Sequence, residues 1–330
     1  MRNVTSADVA RDSGVSRTTV SYVLNDTPGA AISEETRARV RASAERLGYT
    51  PSAAARTLRR GRSDLVLYVL PDWPLGPAVD TLLDHLAGEL AERGLSLLVH
   101  HLRTGRPLSD LWRTVIPRAV VGFTAFSPED REAMRRAGIQ VLGNLDDADP
   151  GVEGTFSASQ RSIGRLQARH LHTRGHEVIG YAAATDPRVR QFVELRLDGV
   201  RAECAEAGHP TPVVQPVDLT LDSAVSAVRA WREHTPPVTA VAAYNDEVAI
   251  ALLAGLRAEG LTAPDDVAVV GVDDVPAAQF TVPPLTTVSQ SLDEQARQLA
   301  ATVVAGLEGD AEAPQPARRE TLELVVRESA

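Results

Sequence analysis

The sequence predicts two unlike parts, a small all-α head and a long α/β body built as two lobes. Three observations predict this. The first 62 residues hold eleven arginines against six acidic side chains, a balance of 11 − 6 = +5. The remainder carries 34 − 11 = 23 basic and 44 − 6 = 38 acidic residues, or −15, which recovers the whole-chain charge of −10. The head reads as short capped helices, whereas β-rich runs alternate with helical ones from about residue 64 onward.

In the head, Thr5-Ser6-Ala7-Asp8 is a capping box, and Gly14 supplies the left-handed residue that stops a helix over Ser6–Ser13. Ser16 caps the next helix, in which Val20, Val23 and Leu24 face inward and Arg17, Thr18, Ser21 and Tyr22 face outward. Ser33 caps a third, with Val40, Ala44 and Leu47 on one face and Gly48 at its end. Two short helices joined by a glycine turn and packed by a third form a helix-turn-helix. Such a second helix enters the major groove with its N-terminal residues at the base edges. Arg17 then suits a bidentate contact to guanine, Thr18 a thymine methyl or an acceptor, and Tyr22 a base or phosphate. A cationic head on an anionic body fits the same partner. The plain alternative is a helical domain with a solvated polar face. After Pro51, Ser52 caps a short helix, Ala53–Arg59, too short to be stable alone in water.

In the body, strands are expected at Leu65–Leu70, Leu95–Val99, Ala119–Thr124, Gln140–Leu142, Val178–Tyr181, Val213–Val214, Val238–Ala243 and Val267–Gly271. Helices are expected between them, among them Ala78–Arg93, Pro128–Ala137, Arg161–Thr173, Arg190–Ala207, Asp222–Glu233 and Asp246–Glu259. Regular βα alternation gives parallel sheets covered on both faces. About 265 residues exceed one such sheet, hence two lobes, with a ligand cleft at the carboxyl ends of the strands. Those ends read Pro71-Asp72-Trp73, Tyr244-Asn245-Asp246 and Val272-Asp273-Asp274, with Arg196 on a nearby helix. Asparagine, aspartate and arginine match the donors and acceptors of a polyol, and Trp73 and Phe156 suit the apolar face of a sugar. Equally, Asn245 and Asp246 fit the cap of the helix that follows.

The head pieces DVA…GVS.TTVS.VLN, SEETR.RV and LGY.P resemble the DNA-binding head of the lactose-repressor (LacI/GalR) family over about sixty residues. YNDEVAIALL, PDDVAVVGVDD, PPLTTVSQ, HLHTRGHEVIGY and the ending ELVVRES resemble that family's effector domain, which has the fold of type I periplasmic sugar-binding proteins. The resemblance implies a dimeric repressor that binds a pseudo-palindromic double-stranded DNA operator and is controlled by a sugar or related metabolite. It implies operator reading by Arg17, Thr18 and Tyr22, and phosphate contacts from Thr5, Ser16, Thr19, Ser21, Asn25, Arg56 and Arg59. It makes Leu58 the minor-groove wedge of a hinge helix, with Ala55 at the helix–helix contact. The effector set it implies is Trp73, Phe123, Asn144, Phe156, Arg196, Asn245 and Asp273. The stretches Asp72–Val79 and Asp218–Leu221 depart from the family pattern. The division it gives is a head at 1–50, a hinge at 51–63 and a body at 64–330. One lobe takes about 64–156 and 289–320, the other about 157–288 and 321–330. The dimer face is expected to include Ala78–Arg93 and Asp246–Glu259.

Enzyme classes find little support. There is no GxSxG elbow, no HExxH, and no Walker loop, since all 34 basic residues are arginine. His170 and His172 stand two apart, so a helix turns them to different faces and no shared metal is expected. No catalytic step, cofactor or metal is therefore expected. A single cysteine, Cys204, excludes an internal disulfide and fits a reducing cytoplasm. The N-terminus has no apolar stretch before a cleavage site, and no run of about 18 apolar residues exists to span a membrane. The competing function is a cytosolic sugar-binding sensor or carrier without operator specificity.

Overall fold

The computed structural model describes residues 4–25, 29–49, 63–74, 76–102, 107–122, 126–144, 155–308 and 322–330, the side chains of 142–144 and 155–159 excepted. The expected hinge helix with Ala55, Arg56, Leu58 and Arg59, and Phe123 of the effector set, lie outside the described residues. The chain divides into two compact units, Met1–Asp64 and Leu65–Ala330.

In the first unit the helices are α1 (Ser6–Ser13), α2 (Arg17–Leu24) and α3 (Glu34–Leu47). Local chemistry sets their ends. Asp8 reaches back to accept from both the backbone N–H (3.0 Å) and the hydroxyl (2.7 Å) of Thr5. Ser16 accepts from the Thr19 N–H and Ser33 from the Thr36 N–H. Gly14 and Gly48 close α1 and α3 at φ 69° and 65°, a conformation that costs other residues more. Val9, Ala10, Val20, Val23, Val40 and Ala44 form one core shared by all three helices. Asp12 on α1 is gripped by Ser43 and Arg46 of α3, and these hydrogen bonds hold its carboxyl below the usual range.

The second unit begins with β1 (Leu65–Leu70), α4 (Pro77–Ala91), β2 (Ser96–His101), α5 (Leu108–Val115), β3 (Ala119–Gly122), α6 (Pro128–Arg136) and β4 (Gln140–Asn144). It continues with α7 (Thr155–Thr173), β5 (Ile179–Ala184), α8 (Arg190–Ala207), β6 (Val213–Val217), α9 (Leu221–Glu233), β7 (Ala240–Ala243), α10 (Asp246–Ala258) and β8 (Ala268–Val272). It ends with β9 (Thr286–Ser289), α11 (Leu292–Glu308) and β10 (Glu323–Val325). Two sheets result, ordered β2-β1-β3-β4 and β10-β9-β8-β7-β5-β6, parallel throughout except for β10. Side chains alternate across β1: Val66, Tyr68 and Leu70 meet α4 and α11, while Leu67 and Val69 meet α5 and α6. Helix α11 therefore follows a strand of the second sheet yet packs on the first, so the chain crosses back between lobes at residues 290–291.

Helices α7 and α8 cross at an unusually close point. A Cβ on Gly164 would lie 1.9 Å from the Arg196 carbonyl oxygen, and one on Gly199 would lie 2.0 Å from the Arg161 carbonyl oxygen. Only glycine at both positions lets the two backbones meet there. Helix α7 starts six residues earlier than expected, at Thr155, and β6 runs on through Pro216, which an edge strand tolerates. The C-terminal tail is stitched into the second sheet. The buried Ser329 hydroxyl donates to the Val269 carbonyl (2.6 Å) and accepts from the Thr286 N–H (2.8 Å).

Candidate functional site

The head presents the outward face of α2. Arg17, Thr18 and Tyr22 are exposed, Tyr22 at 43%, while Val20 and Val23 carry the packing. An exposed tyrosine beside arginine and threonine leaves the reading groups unspent on the fold. Ser16 and Thr19 are joined to one another (2.9 Å) at the start of α2. Asn25 turns its amide back onto the Ser21 carbonyl (2.7 Å) and hydroxyl (3.2 Å), so it is engaged within the helix and not extended outward. Thr5 is held by Asp8.

In the body, Arg196 and Asp273 come together beside Tyr244, which Asn245 follows in the chain. Arg196 is 4% exposed. Its Nε donates to Gln160 Oε1 (2.8 Å), one terminal nitrogen donates to the Tyr244 carbonyl (2.6 Å), and its guanidinium lies 4.9 Å from the centre of the Tyr244 ring. The other terminal nitrogen stands 3.9 Å from Asp273 Oδ1. That carboxylate also accepts from the Gln290 amide (2.6 Å). Burial pushes Asp273 above the ordinary carboxylate range, against the pull of Arg196 and Gln290, which favour its charged form. Asn245 accepts the Val248 N–H at the start of α10 (3.0 Å), so the capping role is real, and its amide faces Glu247 (3.4 Å). Asn144 ends β4 and Phe156 lies in the first turn of α7, with side chains outside the described set. Trp73 is half-buried and packs on Phe192. Sequence reasoning missed Gln160, Gln290 and Phe192, since neither amides nor a single aromatic on a helix carry a motif.

The turn that bears Asp273 is strained. Asp273 and Asp274 both take positive φ, 108° and 51°. Such backbone persists where surroundings over-determine it. Here Arg327 donates to Asp274 (2.6 Å), and the buried Asp246 accepts from both the Val275 N–H (2.9 Å) and the Thr287 hydroxyl (2.6 Å). Asp246 therefore ties the start of α10 to the Asp273 turn and to β9. Gly271 leaves it room, because a Cβ there would lie 2.1 Å from Asp246 Oδ1.

Burial raises Asp246 to about 7, with the nearby Asp273 adding to the effect. A carboxyl raised in the folded state stabilises the fold below its unfolded value near 4, and that contribution is lost as pH rises through 7. Asp246→Asn keeps the shape and removes the titration. In urea denaturation, wild type is expected to lose stability relative to this variant between pH 5 and pH 8, by on the order of a few kcal/mol. Parallel pH profiles for the two proteins exclude the assignment.

Comparisons with known proteins place both units. A family model for bacterial regulatory proteins, lacI family, matches residues 5–52, and one for a periplasmic binding protein-like domain matches residues 168–330. The ribose operon repressor of Escherichia coli K12 is 31% identical over 88% of this chain and 89% of its own length. The HTH-type transcriptional regulator CelR of Thermobifida fusca is 32% identical over 99% of this chain and 98% of its own. Among solved structures, a complex of the transcriptional regulator CelR with cellobiose has a TM-score of 0.62 at 27% identity, covering 99% of this chain and 100% of that one. The lac repressor dimer bound to operator and the anti-inducer ONPF has a TM-score of 0.77 at 22% identity, covering 99% of each, which speaks to the fold.

Proposed function

The chain belongs to the lacI family of bacterial regulatory proteins, and from that premise we propose that it is a transcriptional repressor whose grip on its operator is set by a small molecule in the body's cleft. The observation that carries the reading is the exposed trio Arg17, Thr18 and Tyr22 on a helix-turn-helix whose core is complete without them. Thr5, Ser16, Thr19 and Ser21 position the head on phosphates, and the segment 51–63, with Leu58 as wedge and Ala55, Arg56 and Arg59 beside it, is the hinge. The domain division is head 1–50, hinge 51–63 and body 64–330.

The ligand is a sugar or related polyol. Arg196, Asp273, Gln290 and Asn245 offer the clustered donors and acceptors that such a molecule needs, and one relative's structure holds cellobiose. No catalytic step is part of the reading: the relatives are transcriptional regulators, and the cleft pairs its charges with one another. Among the described residues no helix is long and apolar enough to cross a membrane, and the protein works in the cytoplasm.

Two copies act together. Among the described residues of the body, Phe280 and Val282 are the most exposed large apolar side chains, at 77% and 87%, and a second copy covers them.

An operator selected from random duplexes tests this function. Wild type is expected to enrich a twofold sequence, and Arg17→Ala to lose about 1–3 kcal/mol per half-site and relax specificity at one base pair. Failure to enrich any sequence leaves the sugar-carrier reading in its place.

A further inference from the structure

The two lobes of the body touch beside the segment that follows β1. The edge-to-face pair Trp73–Phe192 joins the segment after β1 in the first lobe to α8 in the second, with ring centroids 4.7 Å apart and planes at 70°. Two further contacts leave the same segment. The Asp72 carboxylate acts electrostatically on Arg188, which itself is held by Asp186 at 2.6 Å. Gly76, the N-cap of α4, lies against Glu247 of α10, whose Oε2 stands 3.7 Å from the place a Gly76 Cβ would take. A carboxylate is favoured at a helix N-terminus, so Glu247 is attracted to α4 of the opposite lobe. Trp73 and Gly76 thus meet the second lobe through a ring and a helix end, Asp72 acts on the charge of Arg188, and all three belong to the stretch that departs from the family pattern.

Phe192 stands one helical turn before Arg196, on the same face of α8. At 4.7 Å the two rings leave no space for a third ring between them. A ligand reaching Arg196 and Asp273 past this contact must part the pair.

We propose that Phe192 is a gating residue: with Trp73 it forms an interlobe aromatic clasp that holds the two lobes together and must open for a ligand to pass between them. The proposal deepens the effector-cleft reading and rests on it for the passage of ligand, while the clasp itself is testable without any ligand.

The chain has three tryptophans. Trp112 and Trp231 are 4% and 1% exposed, so an aqueous quencher reports chiefly on Trp73. In the full-length, ligand-free protein, Phe192→Ala is expected to raise acrylamide quenching and to enlarge the radius of gyration in small-angle scattering. The open-to-closed ratio should shift by about 2- to 10-fold, the factor an aromatic pair contributes. Phe192→Tyr is expected to restore both readings, which a general loss of packing would not produce. Quenching and scattering unchanged by Phe192→Ala overturn the clasp. Titration of the same variants with cellobiose and with D-ribose tests passage: faster association with Phe192→Ala supports the gate, and an association rate equal to wild type overturns it. If neither sugar binds wild type, the effector reading fails for those sugars while the quenching and scattering still decide the clasp.

Discussion

Arg196→Ala is expected to abolish the response to ligand and to cost about 3 kcal/mol or more of stability in the body. The side chain is buried and spends its donors on Gln160 and the Tyr244 carbonyl, with its charge facing Asp273. Removing it leaves Asp273 with only the Gln290 amide, and a buried carboxylate without a counter-charge is far costlier than the pair was beneficial. The Tyr244 ring also loses the cation on its face. Arg196→Lys is expected to recover little, because an ammonium lacks the fork that reaches the amide, the carbonyl and the carboxylate at once. Denaturation of the variants and isothermal titration with a bound sugar separate the two effects. Near-wild-type stability together with intact binding excludes this residue from the site.

Gly199→Ala is expected to damage the second lobe by about 3 kcal/mol or more. The new methyl would stand 2.0 Å from the Arg161 carbonyl oxygen, and the nearest atoms are backbone, so no side chain can swing aside. To accommodate it, α7 and α8 must separate, and α8 carries Arg196 while α7 carries its partner Gln160. Ligand affinity should therefore fall with stability. Gly88→Ala supplies the contrast. Gly88 lies on the face of α4 expected to meet a second copy, but within its own chain it is exposed and no atom stands within 4 Å of its added methyl, so the contrast is read in the fold of the single chain. There alanine is expected to stabilise by about 0.5–1 kcal/mol. Equal effects at the two positions contradict the crossing argument.

The head was the most legible part of the sequence, because capping is local chemistry. Thr5 with Asp8, Ser16, Ser33, Gly14 and Gly48 fix α1 to α3 through partners no more than five residues away. The body was legible as alternation but less so at its edges. Thr286–Ser289 and Glu323–Val325 are strands only because each pairs with a distant segment, and nothing in TTVS or ELV announces that. That α11 covers the first sheet is likewise a long-range fact, for which the family resemblance, assigning 289–320 to the first lobe, supplies an expectation that no local pattern does.

The cleft divides the same way. Arg196, Asn245 and Asp273 stand at strand ends or match a known pattern, so the sequence singles them out. Gln160 carries no motif, and Gln290 ends the stretch PPLTTVSQ without anything local telling that its amide reaches Asp273. Gly164 and Gly199 did carry a signal. A glycine inside a helix costs about 1 kcal/mol and invites a packing reason, but the sequence does not say which helix it meets.

The central claim is that two heads hold one twofold duplex and that the body's ligand sets how tightly. Fluorescence anisotropy of a selected operator duplex, titrated with full-length protein with and without each sugar that raises its melting temperature, measures this directly. The expected result is two chains per duplex and an affinity changed by about 5- to 150-fold by at least one such sugar, with Arg196→Ala binding the same duplex but ignoring the sugar. One chain per duplex, or an affinity indifferent to DNA sequence and to every bound sugar, contradicts it.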